Sequence, residues 1–279
     1  MKREVEKMGY FELNNGVKVP ALGFGTYQMP PAITEENVAK AINLGYRSID
    51  TAQNYGNEAE VGAAVNGSGV SRDDLFVTSK TQTSGYKTTL RGIDESLRSA
   101  QLDYFDLMII HWPTIDNSGT YKALEEAYQA GKLRAIGVSN FNSSKVQKLI
   151  DRAEVKPMID QIETDVYWQQ NKMHKFLNQN NILHESWAPL GEGLSPVLSE
   201  PAIIRIAEKY QKSTAQVILR FLTQQHIMVI PKSTNPVHIA ENLNVFDFKL
   251  TDDELDIIKS LDQGHSGVNW PSSMGQEAY

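Results

Sequence analysis

Phe105-Asp-Leu-Met-Ile-Ile-His111 is a short apolar run that ends in an ionisable side chain. Runs of this length without a polar face are typical of strands buried on both sides of a parallel sheet. Seven similar runs occur, and segments with helical spacing, such as Leu90, Ile93 and Leu97, lie between them. The predicted strands are 21–25, 46–50, 75–79, 105–111, 135–139, 158–161, 182–187 and 228–231. Eight βα units of this kind predict an α/β fold, a closed (β/α)8 TIM barrel.

Ahead of the first strand, the segment 10–20 alternates apolar and polar residues on both sides of Asn15-Gly16. This dipeptide tolerates positive φ and is typical of a tight β-hairpin turn. We therefore expect an N-terminal β-hairpin that plugs the barrel. A capping box at Thr251 to Glu254 predicts the start of a last helix.

The chain has 279 residues, of which 41% are hydrophobic, and no Pro-, Gly- or Ser-rich linker divides it. We therefore expect a single domain over 1–279. An open doubly wound sheet is the alternative fold. It would place a glycine-rich turn after the first strand, but Gly23-Phe-Gly25-Thr26 is not followed by a third glycine.

The net charge of -7 disfavours binding to nucleic acid or to an anionic membrane, both of which need dense Lys and Arg. The chain has no cysteine, which excludes thiol nucleophiles and thiolate metal sites. The first nine residues lack the apolar core of a signal peptide, and no run is long enough to span a membrane. We expect a cytoplasmic protein whose partner is a small molecule.

Three predicted strands that follow one another end in ionisable groups. Asp50 ends the second strand and is followed by Tyr55, while Lys80 ends the third and His111 the fourth. Taken singly, Asp50 and Lys80 would be a buried ion pair and His111 a core histidine. Because the carboxyl ends of barrel strands share one mouth, we expect the four side chains to form an active site there.

These residue types suit the reduction of a carbonyl group. A phenol can donate a proton at neutral pH, and a nearby ammonium is expected to lower its pKa. A carboxylate would fix the ammonium, and an imidazole would orient the carbonyl oxygen. Tyr55, Lys80, Asp50 and His111 fit these roles in that order.

The sequence blocks around these residues resemble the aldo-keto reductases from about Phe11 to about Leu261. Within that family, the chain is similar to the short bacterial group related to 2,5-diketo-D-gluconate reductase. The matching blocks are GYRSIDTAQNYGNE (45–58), LMIIHWP (107–113), GVSNF (137–141) and IPKST (230–234). The resemblance implies a (β/α)8 barrel, aldehyde or ketone substrates, NADPH as preferred hydride donor with NADH as a weaker alternative, and a monomer or weak dimer.

The resemblance also implies the site residues. Asp50, Tyr55, Lys80 and His111 are similar to the family's catalytic tetrad, and Ser139, Asn140 and Gln161 to its nicotinamide-binding groups. Trp187 stands where most relatives place a Tyr stacked on the nicotinamide. A lysine before a helix start, Lys232, predicts an anion site, which we assign to the 2′-phosphate. The other expected cofactor contacts are Gly25, Thr26, Tyr27, Ala188, Pro189, Leu190, Gly191, Gly193, Ser233, Thr234, His238, Glu241 and Asn242.

Two positions depart from the family pattern. His238 replaces the usual Arg, so a permanent planar cation gives way to an imidazole, which predicts a weaker preference for NADPH. Gln82 replaces a pocket Trp, which predicts a wider, more polar substrate pocket. We expect its walls to include Tyr27, Tyr55, His111 and Trp112, with some contribution near Trp270.

Two other functions are compatible with parts of the pattern. A glycoside hydrolase could use Glu163 with Glu185 or Asp50, but it would leave Lys80 and Tyr55 without roles. A non-catalytic NADPH-binding sensor could keep the fold and the cofactor. The six histidines have no metal-ligand spacing, so we expect no metal.

Overall fold

The N-terminal hairpin closes the amino end of the strand barrel in the computed structural model, which describes residues 9–266. Its strands are β1 (Tyr10–Glu12) and β2 (Lys18–Pro20), paired antiparallel. At the turn, Asn14 Nδ2 donates to Pro157 O (2.9 Å) and Asn181 O (3.0 Å), and Asn15 Nδ2 to Arg134 O (3.0 Å). These carbonyls lie just before three barrel strands, so the expected hairpin plug is confirmed.

Eight parallel strands in chain order form the barrel wall. The first and last are joined by a bridge between Leu22 and Val229, and Gly23 N donates to Val229 O over 2.8 Å. This pairing closes the predicted (β/α)8 barrel. The strands are β3 (Phe24–Gly25), β4 (Ser48–Asp50), β5 (Phe76–Thr81), β6 (Leu107–Ile110), β7 (Ile136–Ser139), β8 (Ile159–Glu163), β9 (Leu183–Trp187) and β10 (Ile227–Val229).

Ten α-helices within residues 9–266 follow or flank these strands. Their apolar stripes pack against the barrel, as Ile93 of α3 does with 0% exposure. The helices are α1 (Pro31–Leu44), α2 (Glu58–Gly67), α3 (Tyr86–Ala100), α4 (Asn117–Gln129), α5 (Ser143–Ile150), α6 (Asn171–Gln179), α7 (Pro201–Tyr210), α8 (Thr214–Gln224), α9 (Pro236–Leu243) and α10 (Asp252–Lys259). None of them is long and apolar enough to cross a membrane.

All eight predicted strands exist, but several of their ends differ from the prediction. The first strand begins at Phe24 rather than at residue 21, because Leu22 makes only the isolated bridge to Val229. β5 runs two residues further than expected, to Thr81, which pairs with Ile110. The capping box that starts α10 at Thr251 is confirmed, with Glu254 bonded back to the Thr251 backbone.

Candidate active site

Lys80 lies at the centre of the ionisable cluster at the carboxyl end of the barrel. Its Nζ donates to Asp50 Oδ1, to Thr51 O over 2.9 Å and to the Tyr55 hydroxyl over 3.3 Å. Lys80 is fully buried, so these three acceptors match the three donors of its ammonium group. β4 supplies Asp50, β5 supplies Lys80, and the short 3₁₀ helix Gln53–Tyr55 carries the phenol over them.

Aromatic rings surround the Tyr55 phenol. The His111 ring meets it edge to face, with centroids 5.6 Å apart at 73°, and the Tyr27 ring lies 5.1 Å away. Nδ1 of His111 is buried and has no hydrogen-bond partner within residues 9–266. The structure therefore brings the four residues of the predicted tetrad together at one site.

The phenol and the ammonium both hold their protons at neutral pH. Burial raises the pKa of Tyr55 to about 12, although the charge of Lys80 acts to lower it. The expected lowering of this pKa by the ammonium is therefore outweighed by desolvation. Burial acts to lower the pKa of Lys80, but the charges of Asp50 and Tyr55 outweigh it and raise that pKa.

The imidazole of His111 is neutral at the same pH. Burial, followed by the charge of Lys80, lowers its pKa to about 3. A neutral imidazole can donate a hydrogen bond from one nitrogen without giving up its proton. The site therefore combines a neutral phenol, a fixed cation and a neutral imidazole, a set that can bind and protonate a carbonyl oxygen.

A cavity of about 520 Å³ opens over this cluster, within the size range of small-molecule and cofactor pockets. Most of the predicted cofactor and substrate residues line it. They are Gly25, Tyr27, Asp50, Tyr55, His111, Trp112, Ser139, Asn140, Gln161, Trp187, Ala188, Pro189, Leu190, Gly193, Lys232, Ser233, His238, Glu241 and Asn242.

Five predicted residues are not part of the cavity wall. Lys80 lies beneath it, and Thr26 is buried with its hydroxyl bonded to Asp50 O over 2.9 Å. Gly191 is buried with a backbone φ of +71, and a Cβ there would contact Ser195. Thr234 is exposed.

Gln82 is the fifth, and it corrects the expected pocket wall: its side chain is exposed and its N–H donates to Gln53 Oε1 over 3.1 Å. Because β5 extends to Thr81, Gln82 is the first residue beyond the strand, in a loop held by Gln53. The expected contribution near Trp270 lies outside the described residues.

Asn140 connects the predicted nicotinamide-binding groups. Its Nδ2 donates to His111 O and to Ser139 Oγ, each over 3.0 Å, and its Oδ1 accepts from Trp187 Nε1 over 2.9 Å. Asn140 (φ 62) and Ala188 (φ 52) both have left-handed backbone conformations. Such conformations cost energy and persist where the surroundings fix them, as in binding sites.

The wall of one cavity includes both tetrad residues and residues at the amino end of α9. Near the tetrad, the backbone comes so close at Gly25 that a Cβ there would lie 2.8 Å from Ile230 O. Further out, Lys232, Ser233 and His238 flank the start of α9, which Asn235 caps by accepting from Val237 N over 2.9 Å. A lysine next to a helix amino end suits a phosphate group.

Residues 21–263 match the sequence profile of the aldo/keto reductase family. The chain belongs to this family. Glyoxal reductase of Bacillus subtilis (strain 168) is 43% identical over 256 residues, which cover 90% of this chain and 92% of that protein. Methylglyoxal reductase DkgA of Escherichia coli (strain K12) is 40% identical, with coverage of 91% and 93%. The crystal structure of Bombyx mori aldo-keto reductase in complex with NADP has a TM-score of 0.87 at 32% identity, covering 94% of this chain and 95% of that one.

The expected family, fold and activity of this aldo-keto reductase are thereby confirmed. It is an oxidoreductase that reduces aldehydes and ketones with NADPH. Neither Glu163 nor Glu185, which the hydrolase alternative would use, lines this cavity. Among the described residues, no group of three or more His, Asp and Glu side chains could hold a metal ion.

Several residues that line the cavity of this aldo-keto reductase were not predicted from the sequence. They are Gln28, Asn54, Glu192, Leu198, Ser213, Thr214, Ala215, Ile230 and Pro231. Ser213 caps α8 with a capping box that includes Gln216, a pattern visible in the sequence. Nothing in the sequence says that this helix start faces the cavity, because it follows α7 rather than a strand.

Proposed function

We propose that Tyr55 is the proton donor of this reductase, that Lys80 and Asp50 hold the proton donor in place, and that His111 orients the carbonyl oxygen. The observation that carries the assignment is the 3.3 Å hydrogen bond from Lys80 Nζ to the Tyr55 hydroxyl at the cavity floor. No other phenol in residues 9–266 has a buried lysine as a hydrogen-bond donor.

NADPH, when bound, supplies the hydride that adds to the carbonyl carbon. The Tyr55 phenol gives its proton to the carbonyl oxygen, and the product is an alcohol. The resulting phenolate is stabilised by the adjacent Lys80 ammonium, whose own charge is offset by Asp50. Neutral His111 donates a hydrogen bond to the oxygen on which negative charge develops.

For the cofactor, we propose contacts with the lining residues from β7 through α9. Ser139, Asn140 and Gln161 would bind the carboxamide, and the Trp187 ring, fixed by Asn140, would stack on the nicotinamide. At the other end, Lys232 and His238 would contact the 2′-phosphate, with Glu241 and Asn242 at the adenine.

As substrates, we propose small 2-oxoaldehydes of the glyoxal and methylglyoxal type. The support comes from the names of two relatives at 43% and 40% identity. Tyr27, Trp112 and Asn54 would form the walls around such a molecule. Two aromatic faces and one amide suit a small molecule that carries two adjacent carbonyl groups.

The test is loss of NADPH absorbance at 340 nm with a panel of carbonyl compounds. The panel contains glyoxal, methylglyoxal, 2,5-diketogluconate, an aromatic aldehyde and a simple ketone, each also measured with NADH. We expect the highest kcat/KM for the 2-oxoaldehydes. A higher kcat/KM for the sugar acid or the aromatic aldehyde would contradict the substrate proposal, and binding of NADPH without turnover of any compound would favour a sensor.

We further propose that the chain is a single domain over 1–279 and works in the cytoplasm as a monomer or weak dimer. Its support is the closed barrel, whose eight-stranded sheet has no open edge for another chain to extend. Light scattering during size-exclusion chromatography should give a mass near the 31.2 kDa of one chain at low concentration. A stable tetramer would contradict this proposal.

A further inference from the structure

Glu185 is a buried acid inside the barrel that the proposed reaction leaves without a role. It lies in β9 opposite Gln161 of β8 and Met228 of β10, with 0% exposure. Paired residues on neighbouring strands point to the same face of a sheet. Gln161 points into the barrel, because its Nε2 donates to Asp50 Oδ2 over 3.1 Å, so Glu185 points there as well.

The charges near Glu185 do not balance if every group there is ionised. Asp50 and Lys80 are the ionisable groups that act on it, and the Gln161 amide lies beside it. One ammonium thus faces two carboxyl groups in an almost completely buried layer. No atom within residues 9–266 makes a hydrogen bond of good geometry to either Glu185 oxygen.

A second carboxylate in this layer would be unpaired, so Glu185 keeps its proton near neutral pH. Burial, followed by the charge of Asp50, raises the pKa of Glu185 to about 8, while the Gln161 amide and Lys80 act to lower it. When the Glu185 proton is lost to solvent, a new negative charge appears near Lys80. Such a charge holds the phenolic proton of Tyr55 more tightly.

We propose that Glu185 is a positioning residue of the reduction. While Glu185 is a neutral acid, the charge of Lys80 acts on Asp50 and Tyr55. When Glu185 ionises, proton donation by Tyr55 becomes slower. The effect of Glu185 is exerted through Lys80, since Glu185 is not part of the cavity wall. The inference rests on the proposed role of Tyr55, and it predicts a property of the cofactor-free protein as well.

The first experiment is the single-turnover rate of methylglyoxal reduction by NADPH between pH 6 and 10. The wild-type rate should fall several-fold with a midpoint at about pH 8. Glu185→Gln, which is neutral and of the same shape, should keep the pH 7 rate within about twofold and lose that step. The same step in both proteins, or none in the wild type, would overturn the proposal.

Asp160→Asn is the matched control. Asp160 is also fully buried in β8, but it is next to Gln161 in the strand and so points away from the barrel interior. Burial also raises the pKa of Asp160 well above its usual range. Asp160→Asn should therefore keep the wild-type step near pH 8. Loss of the step in this control would overturn the assignment to Glu185.

The second experiment needs neither turnover nor cofactor. Infrared difference spectra of the cofactor-free protein between pH 7 and 9 should show a protonated carboxyl band disappearing. The band change should be smaller in Glu185→Gln, or in Glu185→Met if the first variant does not fold, and the part due to Glu185 should remain in Asp160→Asn. A band change of undiminished size without Glu185 would overturn the proposal, and this spectroscopic result does not depend on the activity of Tyr55 variants.

Discussion

The ammonium of Lys80 donates to the Tyr55 hydroxyl over 3.3 Å and also to Asp50 Oδ1 and Thr51 O. Tyr55, Asp50 and His111 line the cavity, whereas Lys80 itself is fully buried beneath it. The arrangement makes stability and catalysis depend on the same buried ion pair, since Lys80 and Asp50 are both almost completely shielded from solvent.

Removing one partner of this pair should destabilise the fold. Lys80→Met leaves the Asp50 carboxylate buried without its cation, and we expect a loss of about 3–5 kcal/mol in the free energy of unfolding. The double variant Lys80→Met/Asp50→Asn, which has no buried charge, should recover part of this loss. Urea unfolding of the two single variants and the double variant measures the coupling. Strictly additive losses would show that the two side chains do not stabilise each other.

The lowered pKa of His111 predicts that the free energy of unfolding decreases in acid. Its pKa falls from 6.5 in the unfolded chain to about 3 in the folded protein. The unfolded state therefore binds the proton first, so this contribution to stability is complete above pH 6.5 and is lost as the pH falls towards 3. With allowance for partial exposure, the loss by pH 4 is on the order of 2 kcal/mol.

The measurement is the free energy of unfolding at pH 7 and pH 4 for the wild type and His111→Gln. The variant has no titrating ring, so its stability should fall less over this interval. An equal fall in both proteins would mean that His111 is not held neutral in the folded state.

Most of the active site was predictable from the sequence because the ends of the strands can be predicted from it. Asp50, Lys80 and His111 each follow an apolar run, and parallel strands in a barrel bring such positions together. The two predictions that were wrong depend on the path of a loop and on the balance between burial and charge. Gln82 does not line the cavity, and it lies in the loop after β5, where its N–H donates to Gln53 Oε1. The pKa of Tyr55 is raised because burial outweighs the charge of Lys80, a balance that no sequence pattern gives.

Other cavity-lining residues could not be predicted because their positions depend on tertiary packing. Ser213 to Ala215 reach the cavity from a helix start, and their position depends on how α7 and α8 pack against the barrel. Helix packing of this kind is set by tertiary contacts rather than by local sequence.

His238 should determine how strongly the enzyme prefers NADPH to NADH. His238→Arg places a permanent, planar cation on the cavity wall, which Lys232 also lines, and we expect the Kd of NADPH to fall by about tenfold. The Kd of NADH, which has no 2′-phosphate, should change little. Fluorescence titration with each nucleotide measures both values, and His238→Gln is the neutral control. An unchanged ratio of the two dissociation constants would show that residue 238 does not contact the phosphate.

The central claim is tested most directly by Tyr55→Phe, which removes the hydroxyl and leaves the ring. We expect reduction of methylglyoxal, followed at 340 nm, to fall by about 10²-fold or more, the scale of a lost general acid. The Kd of NADPH should stay within about threefold of the wild type, because the ring and the surrounding walls remain. A variant that binds NADPH normally but cannot reduce the substrate is the predicted result. Reduction at a rate comparable to the wild type would contradict the assignment of Tyr55 as the proton donor.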